Sequence, residues 1–369
     1  MAQKKILYCA STASHLQNFH LPYMQKLQEM GYYVTACVNE PCTLPFADEI
    51  AVIPFEKNIT SPENIKNIIR AYRLLKKQHY DAVSLHTTLA SLILRVAIRL
   101  LPKNQRPKVF YTCHGYLFRK NDGMHKWKYL LPEKLCAAVT DVVMVMNRED
   151  EQIAKQEKLH KHKLEFIPGM GVDFRRFELE QTKENLRSKY EINENAILFV
   201  FAGEFSERKN QQELINAFVR AEKQMPYAKL LLAGNGALQS ECERLAVQKG
   251  LKDKIVFTGH ITNIPALYRI CDVCVSASKI EGLPFNIMEA MYCKLPCIAS
   301  KIKGHEDLIL HGQTGYLYET EIELAEYMVR LYRDKVTRAK LGENAKQAVY
   351  AHSLDVVQNE IMQIYKENL

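Results

Sequence analysis

The sequence of 369 residues lacks long apolar runs, and no stretch reaches the roughly 18 residues that a membrane-spanning helix needs. Residues 1–5 lead directly into a strand-like segment, without the longer apolar region and cleavage site of a secretory signal. The sequence therefore predicts a cytoplasmic protein. Hydrophobic residues make up 47% and charged residues 25%, which is the balance of a folded globular chain rather than a disordered one.

Paired cysteines and a dinucleotide-binding glycine motif are also missing. The ten cysteines are scattered through apolar segments, and a reducing cytosol argues against disulfides. Cys271 and Cys274 have metal-ligand spacing, but no second pair lies at a suitable distance, so we interpret them as buried strand residues. No G-x-G-x-x-G follows the first strand, and residues 234–236 form only a short G-x-G turn, which disfavours a dinucleotide oxidoreductase.

Charge is distributed unevenly between the two halves. The net charge is +8; residues 1–180 hold 26 basic and 18 acidic residues, whereas residues 181–369 hold 24 of each. The first half is therefore expected to meet an anionic partner, such as a phosphate, a membrane surface or a nucleic acid. We expect no nucleic acid, because no nucleic-acid-binding motif accompanies the charge.

Strands and helices alternate along the whole sequence, which predicts crossover units, parallel sheets and an α/β fold of two domains. Glycine and proline interrupt the pattern at residues 168–173, so we place the domains at 1–170 and 171–352. The terminal helix, 353–369, need not belong to the second sheet. The predicted helices of the first half are 19–30, 62–78, 88–101 and 127–138.

Histidines follow three predicted strands of the first domain. His15, His86 and His114 each come just after a strand. Parallel sheets bind ligands at the carboxyl ends of their strands, so these side chains are expected to converge on one cleft.

Two segments of the second domain suggest a site for an anionic, hydroxyl-rich ligand. Gly203 follows a predicted strand and begins a loop that contains Arg208 and Lys209 and leads into a helix. Two cations beside a helix N-terminus suit a diphosphate. The alternative is a surface loop with two solvated cations. Glu281 ends a later loop, and Glu289 lies on the helix that follows. Their carboxylates can accept hydrogen bonds from sugar and ribose hydroxyls. The alternative is an exposed Glu281 and a Glu289 on a helix surface, which the apolar neighbours of Glu289 disfavour.

Glu281 and Glu289 resemble the E-x7-E motif of glycosyltransferase family four, which has the GT-B fold. Other segments resemble the same family in the same order: HGYLF at 114–118, IPGMGVDFRRF at 167–177, FAGEFSERKN at 201–210 and EGLPFNIMEAM at 281–291. The sequence is most similar to bacterial transferases that build capsular, exopolysaccharide or O-antigen repeat units. The resemblance implies two Rossmann-like domains whose parallel sheets face each other across a cleft, with the terminal helix crossing back to the first domain.

The resemblance also implies roles for individual residues. Lys209 and Arg208 would bind the donor diphosphate, and Glu289 would hold the ribose hydroxyls. His114 would lie beside the transferring sugar. The remaining implied donor contacts are Glu281 and the backbone of Gly282, Leu283, Pro284 and Phe285 at the sugar and phosphates, and Gly259 and His260 at the base.

The implied reaction retains the anomeric configuration without a metal or a cofactor, and the absence of any Asp-x-Asp pair agrees with this. We found no convincing carboxylate nucleophile in the first domain, which favours front-face displacement. The donor is expected to be a UDP-linked hexose or N-acetylhexosamine, and the acceptor a lipid-linked or polysaccharide-precursor saccharide.

Two departures from the family pattern leave alternatives open. Glu204 stands where the family commonly has arginine, and Ser14 and His15 stand where a glycine-rich loop is common. A nucleotide-sugar 2-epimerase of the same architecture and a non-catalytic sugar-nucleotide-binding subunit are the alternative functions.

Basic residues and aromatics of the first half predict a peripheral site on the inner face of the cell membrane. The apolar segment 89–101, with Arg95 and Arg99, is either a buried crossover helix or a membrane-facing one. The basic clusters are Arg70, Arg73, Lys76 and Lys77 in one helix, and Arg119, Lys120, Lys126 and Lys128 around Trp127 and Tyr129.

Overall fold

The computed structural model describes residues 3–56, 61–178, 187–188 and 190–369. The chain forms two compact units. The first unit consists of Met1–Gly171 together with Asp355–Leu369, and the second unit of Val172–Leu354.

The first unit is built on a parallel sheet of seven strands in the order β3-β2-β1-β4-β5-β6-β7. Of its central strands, β4 Ala82–His86 is buried along its whole length and β5 Lys108–Cys113 at every residue except the first, which explains why they lack an alternating pattern. The strands are β1 Lys5–Cys9, β2 Tyr33–Val38, β3 Glu49–Val52, β4 Ala82–His86, β5 Lys108–Cys113, β6 Val142–Val145 and β7 Lys163–Phe166. The helices are α1 Ala13–Phe19, α2 Leu21–Glu29, α3 Pro62–Gln78, α4 Thr88–Leu100, α5 Trp127–Ala137 and α6 Arg148–Glu157.

The single helix predicted at 19–30 is wrong, because two helices occupy this region and His20 lies between them. The first of them, α1, begins after Thr12, whose side chain accepts a hydrogen bond from the backbone N–H of His15. Ser14 and His15 are therefore helical rather than part of a loop. The N-cap at Thr12 is the sequence signal that would have located this helix.

The second unit holds a parallel sheet of six strands in the order β10-β9-β8-β11-β12-β13. Its strands are β8 Ile197–Ala202, β9 Ala228–Ala233, β10 Ile255–Gly259, β11 Val273–Ser276, β12 Cys297–Ser300 and β13 Gly315–Tyr318. Its helices are α7 Gln211–Ala221, α8 Gln239–Gln248, α9 Ile264–Ile270, α10 Phe285–Tyr292, α11 Glu321–Arg333 and α12 Lys335–Val349. Short 3-10 turns in the two units lie at Lys103–Gln105, Gly123–Lys126, Phe174–Phe177, Glu222–Gln224 and Tyr350–His352.

The last helix, α13 Leu354–Asn368, packs almost entirely within the first unit. Its buried residues include Tyr365, whose hydroxyl lies 2.5 Å from Ser84 Oγ on β4 and whose ring lies 4.7 Å from that of Phe110 on β5. Gln358 also donates a hydrogen bond to the Pro22 carbonyl at 2.8 Å. The helix thus completes the core of the first unit.

Helix α4 is the buried crossover helix of the two alternatives left open by its sequence. Arg95, in the middle of it, is fully buried, and its guanidinium lies 2.9 Å from the Glu133 carboxylate and 4.0 Å from the centre of the Tyr111 ring. Burial alone would lower the pKa of Arg95, but the charge of Glu133 raises it, so the guanidinium stays ionised. Among the described residues, no helix combines the length and apolarity needed to cross a membrane.

Candidate active site

Each sheet reverses its strand order once, and open parallel sheets bind ligands beside such a point, at the carboxyl ends of the strands. In the second unit the reversal lies between β8 and β11, so the loop after β8 and the loop after β11 flank one crevice. These loops carry Lys209 and Glu281. In the first unit the reversal lies between β1 and β4, next to His15 and His86.

The loop at 203–210 is held in place by its own backbone. Gly203 and Phe205 donate hydrogen bonds to the carbonyls of Ala233 and Asn235, both at 2.9 Å. Gly234, at a φ of +133°, allows this approach, because a Cβ there would lie 2.1 Å from the Gly203 oxygen. The G-x-G turn at 234–236 is thus a support for the loop, which the sequence analysis did not recognise.

Arg208, Lys209 and Glu281 form one ion cluster, in which the lysine and the glutamate are buried. Lys209 Nζ lies 2.6 Å from Glu281 Oε1, and Arg208 Nη1 lies 3.0 Å from Glu281 Oε2. Lys209 is 9% exposed and Glu281 7% exposed, whereas Arg208 reaches solvent. The sequence analysis placed these residues at one ligand; the structure brings them together although they are 72 and 73 positions apart.

Opposite effects set the ionisation of this cluster. Burial lowers the pKa of Lys209, and the charge of Glu281 opposes that change. Burial would raise the pKa of Glu281, but the charges of Lys209 and Arg208 outweigh it and hold that pKa below its ordinary value. Two cations against one carboxylate leave a net positive charge in a poorly solvated place, where an anion is attracted strongly.

Glu204, the departure from the family pattern, does not enter this cluster. Its side chain is exposed, and its backbone carbonyl accepts a 2.7 Å hydrogen bond from Gln211 Nε2 at the start of α7. Its charge still acts on Lys209, whose pKa it raises slightly. The carboxylate therefore reduces the positive potential of the loop without occupying the crevice.

Helix α10 brings the second carboxylate, Glu289, to the same edge of the sheet. Asn286, in its first turn, donates a 2.9 Å hydrogen bond to the carbonyl of Ala202 at the end of β8. Glu289 is 8% exposed and pairs with Arg176, a residue of the interdomain segment that the sequence analysis did not select. Burial raises the pKa of Glu289 to about 7, against the opposing charge of Arg176.

The remaining predicted donor residues lie around these two carboxylates. Pro284 is the N-cap of α10 rather than its first residue, and its side chain is buried with that of Leu283, while Gly282 and Phe285 are half-buried. Gly304 supports this turn, because its φ is +81° and a Cβ there would lie 2.6 Å from the Gly282 oxygen.

Gly259 ends the edge strand β10, and its carbonyl accepts a 2.8 Å hydrogen bond from Gly234. His260 follows it and is exposed. The supporting turn at 234–236 therefore connects the predicted base-side residues to the loop at 203–210, since the same segment also contacts Gly203.

In the first unit, four of the twelve histidines meet at the carboxyl edge of the sheet. The predicted three, His15, His86 and His114, are joined by His20, whose ring centre lies 4.0 Å from that of His86 and 5.0 Å from that of His15. His114 and His15 are half-buried, with ring centres 4.9 Å apart. His20 was missed because the sequence analysis placed it inside one long helix.

Burial keeps these imidazoles neutral. It lowers the pKa of His15 to about 4, and, together with the charge of His15, lowers that of His114 to about 3. Burial also holds the pKa values of His20 and His86 well below the ordinary range. At pH 7 the four rings therefore act as hydrogen-bonding groups or ligands rather than as positive charges.

Both halves of the chain match glycosyltransferase families. Residues 182–348 match the model described as glycosyl transferases group 1, and residues 5–147 match the model described as glycosyl transferase 4-like. The chain is 32% identical to the glycosyltransferase EpsD of Bacillus subtilis over 373 residues, covering 98% of this chain and 96% of EpsD. The chain is a family-four glycosyltransferase.

Other relatives agree with this assignment. The glycosyltransferase is 29% identical, over 76% of its own length and 73% of the relative, to an Escherichia coli enzyme named UDP-Gal:alpha-D-GlcNAc-diphosphoundecaprenol alpha-1,3-galactosyltransferase. The structure of Anabaena HepE in complex with UDP and glucose superimposes with a TM-score of 0.78 at 19% identity, covering 99% of this chain and 100% of HepE. That likeness establishes the GT-B fold for this glycosyltransferase.

Proposed function

We propose that this enzyme transfers a hexose or N-acetylhexosamine from UDP to a lipid-linked saccharide, with retention of the anomeric configuration and without a metal on the diphosphate. The observation that carries the proposal is the ion cluster of Arg208, Lys209 and Glu281 beside the strand-order reversal of the second sheet. Its two cations suit a diphosphate, and its carboxylate suits a sugar hydroxyl. The named specificity of the Escherichia coli relative and the UDP bound to HepE support the donor and acceptor classes.

In the proposed reaction the acceptor oxygen attacks the anomeric carbon from the face that the diphosphate leaves. The bond from that carbon to the diphosphate oxygen breaks, the bond to the acceptor oxygen forms, and the acceptor proton passes to the diphosphate. Lys209 and Arg208 stabilise the charge that grows on the leaving group. His114 acts in the transfer step and has no role in holding the nucleotide.

His114→Ala tests this division of roles. The variant is expected to bind UDP within about twofold of the wild type and to transfer sugar roughly a hundredfold more slowly, the size of effect that misplacing a reacting group produces. Calorimetry with UDP and a steady-state assay with a UDP-sugar and a lipid-diphosphate saccharide measure the two effects. His162→Ala, at an exposed histidine of the same unit, is the matched control.

If His114→Ala loses UDP affinity as well, the residue belongs to the nucleotide site and the division of roles is wrong. NMR of the product glycoside determines whether the configuration is retained. Conversion of the donor sugar in the absence of any acceptor would instead establish the epimerase, and UDP-sugar binding without turnover would establish the non-catalytic subunit.

Glu289→Gln is expected to weaken UDP binding by roughly 1.5–3 kcal/mol, because a charged hydrogen bond to the ribose hydroxyls is lost. The pKa of Glu289, raised to about 7, adds a pH dependence. Above that pKa the wild-type carboxyl is ionised and accepts fully; below it the carboxyl is protonated and resembles glutamine. The difference in affinity between wild type and variant should therefore be largest at pH 8 and shrink at pH 6.

Calorimetry with UDP at both pH values measures this difference, and Glu326→Gln, on the exposed side of α11, is the control. Equal affinities of wild type and Glu289→Gln at pH 8 would remove Glu289 from the ribose site.

We also propose that one face of the first unit docks on an anionic membrane. Trp127, Leu131 and Leu135 recur every four residues along α5, and their side chains are 45%, 53% and 53% exposed. Met124, immediately before the helix, is 82% exposed. Exposed basic side chains of the same region are Arg119, Lys120 and Lys128, with Lys126 half-buried. An apolar stripe bordered by cations fits the interface of an anionic bilayer.

Liposome flotation tests the docking face. We expect recovery with anionic but not with neutral vesicles, and loss of recovery in high salt and in the Lys126→Glu/Lys128→Glu variant, since each basic residue at the surface contributes about 1 kcal/mol. Lys335→Glu/Lys340→Glu, at exposed lysines of α12, changes the net charge equally and should float like the wild type. Equal recovery with neutral vesicles, or no recovery at low salt, contradicts the proposal.

A further inference from the structure

Three of the clustered histidines point ring nitrogens at one place. His15, His20 and His114 each offer one ring nitrogen, and these three atoms all lie within 4.8 Å of one another. The residues come from α1, from the break between α1 and α2, and from the segment after β5, so the carboxyl edge of the first sheet assembles them.

Two buried ring nitrogens of these histidines have no hydrogen-bond partner among the described residues. They are Nε2 of His15 and Nε2 of His20, and His20 as a whole is fully buried. An unpaired polar atom in the interior costs about 1–3 kcal/mol. Two such atoms in one histidine cluster are explained by a ligand that accepts electron pairs from both.

In two of these three imidazole rings, a ring nitrogen already has a hydrogen-bonding partner. Tyr8 Oη lies 3.0 Å from Nδ1 of the fully buried His20. His86 Nδ1 lies 3.3 Å from Nε2 of His114, and His86 is held in turn by Ser84 Oγ at 2.9 Å. Histidines that bind metals characteristically use their second ring nitrogen in this way, which fixes the tautomer and the orientation of the ring.

We propose that His15, His20 and His114 bind one divalent transition-metal ion of the zinc class. Three imidazoles with an open fourth position form a known type of zinc coordination, and donors of nitrogen alone disfavour magnesium and calcium. Ligands of a tetrahedral zinc ion lie about 3.3 Å apart for metal–nitrogen bonds of about 2.0–2.1 Å. Small rotations of the half-buried rings of His15 and His114 close the remaining distance.

The ion takes no ligand from the donor cluster of the second unit. All three ligands belong to the first unit, whereas Arg208, Lys209 and Glu281 belong to the second. The expectation that no metal sits on the donor diphosphate is therefore unaffected. An oxygen ligand, such as water or a hydroxyl, would complete the coordination of the ion.

Zinc titration calorimetry of the metal-stripped, tag-free full chain tests the proposal without donor or acceptor, so its outcome is independent of transfer activity. The wild type is expected to bind one Zn²⁺ ion. His15→Gln and His20→Gln should each bind Zn²⁺ at least about a hundredfold more weakly. Tyr8→Phe keeps all three ligands and should lose only about tenfold to hundredfold in Zn²⁺ affinity. His162→Gln, at an exposed histidine, should bind like the wild type.

Thermal unfolding in the presence of a chelator checks that each variant is folded. If His20→Gln does not fold, His15→Gln, at a half-buried position, still tests the proposal. Replacing Zn²⁺ by Co²⁺ should give the absorption spectrum of a cobalt ion bound by nitrogen and oxygen ligands. Absence of stoichiometric Zn²⁺ binding by the wild type overturns the proposal. Zn²⁺ affinity of His15→Gln equal to that of the wild type also overturns it. So does a thiolate-to-metal absorption band, which would assign the ion to the cysteines.

Discussion

Replacing Lys209 by alanine is expected to lower kcat by about 10²–10³, the cost of removing one oriented group that stabilises developing charge, while KM for the UDP-sugar rises by less than about tenfold. The reason lies in its burial. Lys209 is 9% exposed and lies 2.6 Å from Glu281, so little water screens its charge. Charge on the diphosphate grows as the bond to the sugar breaks, and the buried cation therefore acts mainly in the transition state.

Arg208 supplies an internal comparison. Its side chain is 45% exposed, so its charge is screened, and Arg208→Ala should reduce kcat less than Lys209→Ala does. Lys223→Ala, at an exposed lysine just after α7, is the control for loss of charge in the second unit. Steady-state kinetics with a UDP-sugar and a lipid-linked acceptor separate kcat from KM. A Lys209→Ala enzyme with normal kcat and only a raised KM would place this lysine in ground-state binding.

Arg95→Met is expected to destabilise the first unit by about 3–5 kcal/mol, because it leaves Glu133 buried without its partner. The Glu133 side chain is 4% exposed, so water cannot replace the guanidinium. Removing both charges, in Arg95→Met/Glu133→Leu, should recover most of the loss, since well-packed apolar residues can replace a buried ion pair. Arg99→Met, on the exposed side of the same helix, should change stability little.

The chain's single tryptophan makes this measurement specific. Trp127 lies at the start of α5 in the first unit, so its fluorescence during urea unfolding reports that unit alone. A separate signal is needed because two-domain chains do not generally unfold in one step. If Arg95→Met and the double variant were equally unstable, the loss would come from packing and not from the unpaired carboxylate.

The alternation of apolar segments was enough to predict two parallel sheets and most of their strands. Strands β3, β7 and β13 have four residues each and end their sheets. An edge strand packs against one neighbour only, so it can be short and polar; β7, with the sequence KLEF, has no fully buried residue. Periodicity carries little signal in such a segment.

Motif order selected the predicted donor residues, but the pairing among them depends on tertiary structure. Glu281 lies far from Lys209 in the sequence, and only the adjacency of β8 and β11 makes them neighbours. Arg176 could not be selected either, because nothing in the local pattern indicates that it pairs with Glu289, 113 positions away. Their roles toward donor and acceptor stay predictions.

The position of α13 has a consequence for the order in which the protein is made. The strands of the first sheet are synthesised early, but the helix that covers Ser84 and Phe110 is synthesised only after the whole second unit. At about 5–20 residues per second, the nascent first unit waits on the order of ten seconds or more for its final helix. The second unit is continuous in sequence and can mature meanwhile. During that interval the uncovered apolar surface around β4 and β5 is the part of the nascent chain most in need of a chaperone.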